Sequence, residues 1–186
     1  MRAVFLDRDG TLNREIGFFG DPDRLELLPG VRPALERLRA AGFALVVVTN
    51  QSGIARGYYG ERDLAAVHRR MQEQLGPVLR AFLHCPHHPD EDGPYGGPCD
   101  CRKPAPGLLH RARTLLGVDF EGSYLVGDSA RDVLAARGLP LRTVHVRSGK
   151  PVERERAALA AAQFAVDAEV ADLPAAVDWI LADAAR

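Results

Sequence analysis

At 186 residues the chain is read as a single domain, 1–186, and a hydrophobic content of 46% is enough for an ordinary globular core. A formal net charge of −1 leaves no basic footprint for nucleic acid or an anionic membrane surface, and no apolar run is long enough to span a bilayer. No signal peptide is read at the N-terminus, so the expectation is a cytoplasmic monomer acting on small molecules, with neither nucleic acid nor membrane as partner.

Residues 2–6 open the chain as a strand, and Gly10 turns the backbone just after Asp7 and Asp9. Val31, Leu35 and Leu38 share one face of a helix over 31–41 that stops at Gly42. The run FALVVVT, 43–49, is apolar almost throughout, as in a strand buried on both faces of a parallel sheet. Leu64, Val67, Met71, Leu75 and Val78 predict a long helix over 61–81, and AFLHC is a short strand. A helix over 106–116 opens at Pro106 and closes at Gly117. SYLVGD, 123–128, is a strand ending in Asp128, ARDVLAARG a helix and RTVHV another strand. The alanine-rich tail is read as helix, with a short strand near 163–166 and a last helix over 174–184.

This alternation implies a doubly wound parallel α/β sheet with right-handed crossovers. Such sheets bind ligands at the carboxyl ends of their strands, near the switch point of strand order. Asp7, Thr49-Asn50 and Asp128 all fall at such ends. The composition breaks once, at 85–104, where Pro, Gly, Cys and His gather in a loop that needs its own explanation.

Asp7 and Asp9 are like charges at the end of a buried run, so a cation, a shared proton or a substrate must compensate them. A calcium loop is excluded: with Asp7 as its first position, glycine falls at the fourth rather than the sixth, and Phe18 stands where the closing Glu belongs. Neither a P-loop nor a G-x-G-x-x-G follows the first strand. The chemistry that fits is phosphoryl transfer through an aspartyl-phosphate. One carboxylate attacks, and the second protonates the leaving oxygen and then activates water. Nucleophile and phosphate are both negative, which calls for Mg²⁺, a lysine and a hydroxyl.

The three cysteines, Cys85, Cys99 and Cys101, are odd in number and clustered, which suits a metal rather than a disulfide framework. With His87 or the competing His88 they make a closed set of the structural-zinc kind within 85–101. His68, His110 and His145 lie in regular elements and are read as structural, and Trp179 as part of a packed tail helix.

The ordered set DRDGT, VVTNQSG, CRKP and VGDSARD resembles the four motifs of the haloacid dehalogenase superfamily of phosphatases. The resemblance implies the Rossmann-like fold of that superfamily, without a large cap domain because only short insertions separate the motifs. It also implies Asp7 as nucleophile, Asp9 as general acid/base, and Thr49 and Lys103 on the phosphoryl group. Mg²⁺ would lie on Asp7, Asp128 and the backbone carbonyl of Asp9, with Asp132 in its outer shell. Arg8, between the two acids, is expected to point away into packing or a surface pair. A branch of these phosphatases, acting on heptose bisphosphates or histidinol phosphate, carries a zinc loop just before the motif lysine. That implies structural zinc on Cys85, His87, Cys99 and Cys101. TNQSGIARGYYGE and the long gap between His87 and Cys99 resemble the heptose branch, which implies a sugar bisphosphate substrate losing its 7-phosphate and contacts from Asn50, Gln51, Ser52, Arg56 and Arg102. A zinc-stabilised module for nucleic-acid ends is the reading from another class; the intact acid pair and the near-neutral charge count against it.

Overall fold

A computed structural model describes residues 1–186. Its centre is a strand with two apolar faces. In β1 (Arg2–Leu6), Val4 and Leu6 enter one hydrophobic cluster while Ala3 and Phe5 enter another on the opposite side. β2 (Ala44–Asn50) divides in the same way, Leu45 and Val47 against Val46 and Val48. Side chains alternate across a strand, so a run apolar at every position belongs where both faces are covered. β3 (Ala81–Cys85), β4 (Asp119–Gly127), β5 (Leu141–Val146) and β6 (Ala168–Val170) complete a parallel sheet in the order β3-β2-β1-β4-β5-β6.

The larger cluster takes Val31, Leu35 and Leu38 of α1 (Val31–Ala40), Val67 and Met71 of α2 (Glu61–Leu75), and Ala176, Val177 and Ile180 of α6 (Leu173–Ala184). The other face takes Leu108, Leu109 and Ala112 of α3 (Gly107–Leu116). α4 (Ala130–Leu134) and α5 (Val152–Ala161) share a small cluster of Ala130, Val133 and Leu159. No helix is long and apolar enough to cross a membrane.

Four boundaries differ from expectation, the first being β4, which begins at Asp119 rather than at 123. α2 ends at Leu75 rather than near 81, because Gly76 adopts φ 77° and Pro77 cannot continue the helix; Val78 stays buried by folding back, which imitates helical periodicity. α4 stops at Leu134, and 135–137 continue as tight turns bonded three residues apart. The last strand lies at 168–170 instead of 163–166. Gln163 turns with φ 49°, and Phe164 and Val166 pack on the α4–α5 cluster, so pairing begins only where Ala168 meets Val144.

The strand order changes direction at β1 and β4. Leu6 lies opposite both Val47 and Val126, so the residues that follow these strands emerge at one carboxyl edge. Asp7 is pinned there by its N–H, which donates to the Val126 carbonyl at 2.9 Å.

Candidate active site

Three buried carboxylates meet one buried ammonium at this edge. Lys103 Nζ donates to Asp7 Oδ1 at 2.7 Å, stands 2.8 Å from Asp132 Oδ1, and reaches the Val48 carbonyl at 2.7 Å. Lys103 is placed from below by Asn50, whose amide donates to the Lys103 carbonyl (3.1 Å) and accepts its N–H (3.0 Å). Asp132 also accepts from the Ser129 N–H and hydroxyl, closing the start of α4. Asp128 Oδ2 accepts the Lys150 N–H at 2.9 Å. Glycine is required on both sides of that carboxylate: a Cβ at Gly10, where φ is +85°, would stand 2.2 Å from Asp128 Oδ2, and one at Gly149 would stand 1.9 Å from it.

The charges do not balance. Burial, and then the neighbouring Asp132, push the Asp7 carboxyl up to about 6 in spite of Lys103. Burial, with Asp132 and Asp7, pushes Asp128 up to about 9. Against its own burial, Asp132 is held low by Lys103 and Ser129. One ammonium therefore serves three acids, and Asp7, Asp128 and Asp132 each offer an oxygen within 4.8 Å of the others. Asp7 Oδ2 and Asp128 Oδ1 receive no protein donor. An all-oxygen anionic set of this kind fits a hard divalent cation such as Mg²⁺.

Asp9 faces the same space from a different support. Arg8, expected to point away, leaves the cavity but turns its guanidinium onto the back of Asp9 rather than to a surface partner. Its Nε and Nη2 lie 2.8–3.2 Å from both carboxylate oxygens. Asn13 Nδ2 donates to Asp9 Oδ1 (3.0 Å) and Gln51 Nε2 to Asp9 Oδ2 (2.9 Å). The Gln51 amide also reaches Thr49 Oγ1 at 2.9 Å, and its carbonyl accepts from Tyr59 Oη at 2.6 Å.

The Cys/His loop leaves the end of β3. Sulfur–sulfur distances are 3.6 Å for Cys85–Cys99, 3.5 Å for Cys99–Cys101 and 3.0 Å for Cys85–Cys101. His87 Nδ1 lies 3.7 Å from the Cys85 sulfur and 3.4 Å from the Cys101 sulfur. A tetrahedral zinc with Zn–S near 2.3 Å has sulfur–sulfur edges of about 3.8 Å. No pair approaches disulfide length. The donors thus fit structural zinc with small adjustment. His88 stands outside the set, its Nε2 2.9 Å from Arg56 Nη2.

All eleven residues predicted to lie around the substrate and Mg²⁺ line one cavity of about 420 Å³: Asp7, Asp9, Thr49, Asn50, Gln51, Ser52, Arg56, Arg102, Lys103, Asp128 and Asp132. Sequence reasoning missed Glu15, Phe18, Tyr59, Arg131 and Lys150 in its wall. Lys150 lies four residues past the end of β5, too far for the strand-end rule that found Asp128 to single it out; its Nζ bonds Glu15 at 2.5 Å. Arg131 sits three residues past Asp128. Arg102 donates to the His87 carbonyl at 3.1 Å, and burial and the facing charge of Arg131 hold it below the ordinary arginine value. The cavity therefore has an acidic floor and a rim of guanidinium groups.

Fold and site together define a class, a phosphate-ester hydrolase on a doubly wound α/β sheet. The HAD-hydrolase-like family model matches residues 100–176. Over 180 residues the chain is 43% identical to the D-glycero-beta-D-manno-heptose-1,7-bisphosphate 7-phosphatase of Escherichia coli K12, with 94% of this chain and 93% of that protein covered. The Pasteurella multocida enzyme of the same name is 43% identical over 158 residues, 83% of this chain and 86% of that protein. The crystal structure of D,D-heptose 1,7-bisphosphate phosphatase from B. bronchiseptica, complexed with magnesium and phosphate, superposes with a TM-score of 0.82 at 36% identity, covering 98% of this chain and 99% of that one. The chain belongs to this family of phosphatases within the haloacid dehalogenase superfamily.

Proposed function

We propose that the protein hydrolyses the 7-phosphate of a D-glycero-D-manno-heptose 1,7-bisphosphate and leaves the 1-phosphate in place. The observation that carries this is a buried nucleophile, Asp7 on Lys103 at 2.7 Å, beneath a rim of Arg56, Arg102 and Arg131 that can hold a second anion. Asp7 Oδ2 attacks phosphorus while Lys103 draws charge from Oδ1. Asp9 passes a proton to the departing sugar oxygen. Asp9 then takes a proton from the water that attacks the Asp7 phosphoryl group, which frees phosphate and restores Asp7. Thr49 Oγ and Lys103 orient the phosphoryl oxygens. Mg²⁺ held by Asp7, Asp128 and the Asp9 carbonyl would offset the charge shared by carboxylates and phosphate.

The test is kcat/KM for the heptose bisphosphate against histidinol phosphate and a 3′-phosphorylated oligonucleotide. The bisphosphate is expected to lead. Arg102→Ala should lower that lead by about 10–150-fold, mostly through KM, as expected for a charge-assisted bond of about 1.5–3 kcal/mol made equally in ground and transition states. A wild-type preference for histidinol phosphate would reassign the substrate.

The metal reading has a pH signature. The folded values near 6 for Asp7 and near 9 for Asp128 lie above the unfolded carboxylate value, so the folded state holds these protons more tightly. The stability they add is present below about pH 4 and is lost as pH rises through about 6 and then about 9. In chelator, Tm should fall over that range, and added Mg²⁺ should raise Tm more at about pH 9 than at about pH 5. A pH-independent Mg²⁺ effect would remove the ion from these carboxylates.

Zinc on Cys85, His87, Cys99 and Cys101 would hold a loop that has little core of its own. It would also fix the segment carrying Arg102 and Lys103. About one zinc per chain is expected after metal-replete expression, retained through a chelation that strips Mg²⁺. Cys101→Ala should lose the zinc. Full zinc content in that variant would refute the four-ligand set.

A further inference from the structure

The residue between the two acids has an unexplained position. Arg8 is 1% exposed, its guanidinium lies 5.1 Å from the centre of the Phe19 ring, and its Nη1 is buried with no partner. A buried charge with an unsatisfied donor is a poor way to gain stability, since an apolar side chain of similar size would often do as well or better. Its one ionic contact is Asp9, gripped across both oxygens.

We propose that Arg8 is a positioning residue that fixes the carboxylate of Asp9 for proton transfer. Three side chains donate to Asp9. Arg8 and Asn13 are buried behind it, and Gln51 alone lines the cavity. The rear pair sets the plane of the carboxylate. Gln51 reaches Oδ2 from the cavity side and marks it as the oxygen that faces substrate; of the donors to that oxygen, Arg8 Nε and Nη2 included, Gln51 is the one that gives way when Oδ2 carries a proton to the leaving group. The planar fork of arginine fixes both oxygens at once, which a lysine cannot do. The Phe19 ring packs against the same guanidinium.

This inference rests on the proposed role of Asp9, so Asp9→Asn is measured beside Arg8→Lys and Arg8→Met. Two substrates separate the steps. The sugar phosphate needs a proton on its leaving oxygen, whereas p-nitrophenyl phosphate expels a stable phenolate without one. Both need Asp9 to activate water in the second step.

In the Arg8 variants, kcat on the sugar phosphate should fall by about 10–100-fold, part of the 10²–10⁴ that general acid–base catalysis supplies, with KM within about twofold. On p-nitrophenyl phosphate the variants should show a burst of nitrophenolate of about one per active site followed by slow turnover, as the Asp7 phosphoryl group accumulates. Arg8→Lys should retain more activity than Arg8→Met. Zinc content and Tm report folding. If Asp9→Asn is impaired while Arg8→Lys keeps wild-type kcat, this inference fails and the mechanism stands. If Asp9→Asn keeps wild-type kcat, the reading beneath it fails. Equal losses on both substrates without a burst, or an Arg8→Lys variant that does not fold, would make Arg8 a residue of stability and overturn the proposal.

Discussion

Asp7→Asn should abolish turnover without unfolding the protein. An amide cannot form the acyl phosphate, and loss of a covalent nucleophile costs on the order of 10⁶ in kcat in a well-studied hydrolase. Little background should remain, because phosphate monoesters are among the slowest esters to hydrolyse unaided. The site's charge distribution adds a second expectation. Asp7 is pushed up to about 6 by its burial and then by the neighbouring Asp132. Asparagine keeps the shape and still accepts from Lys103, while one negative charge leaves an overcrowded cluster. The metal-free variant should therefore be at least as stable as the wild type at about pH 8, where Asp7 is otherwise ionised. Steady-state kinetics, mass spectrometry for a trapped phosphoryl-enzyme, and thermal melts in chelator measure all of this. Activity within tenfold of wild type would remove Asp7 from the nucleophilic role.

The sheet was legible because its centre is simple. β1 and β2 are apolar at nearly every position, which only a strand covered on both faces requires, and polar residues then mark the strand ends. Asp7, Thr49 and Asp128 could be placed at one edge on that ground alone. The support behind them could not. Arg8 does point away from the cavity as strand alternation requires, but a long flexible side chain can double back, and its fork onto Asp9 depends on the depth of the pocket over Phe19. The Tyr59–Gln51 bond likewise joins residues whose meeting is decided by how the 51–60 turns fold. The α2 end was missed for another reason: Val78 and Leu79 are buried without being helical, and apolar period alone cannot separate the two, although Gly76-Pro77 carried the stop. Asn50 was expected at the substrate and lines the cavity, yet its amide is spent on the Lys103 backbone. Spacing within one motif does not show that it anchors another.

Lys103→Met tests the opposite side of the same balance. Lys103 is 3% exposed and bonded to both Asp7 and Asp132. Burial disfavours its charge, but Asp132 and Asp7 outweigh this and raise its folded value above the ordinary one. Its own titration therefore removes none of the stability it adds until pH rises from the unfolded lysine value through the folded one; below that range only the partner acids titrate. Methionine matches much of the volume and removes the buried cation, leaving three buried acids with only Lys150 and Arg131 in the cavity wall to offset them. Breaking such a pair costs about 3–5 kcal/mol, which for a chain of this size lowers Tm by about 6–20 °C. The loss should grow with pH. At about pH 5 the acids can take up protons and relieve the repulsion, whereas at about pH 8 Asp132, no longer held low by Lys103, must either ionise against its neighbours or bind a proton that costs stability. Mg²⁺ should recover part of the stability and none of the turnover, since the ion shields carboxylates but does not replace the ammonium on Asp7 Oδ1. Melts of wild type and variant across pH, with and without Mg²⁺, separate these effects. A variant as stable as wild type at every pH would mean that the acid cluster is already neutralised by bound protons, and Lys103 would then serve the phosphoryl group alone.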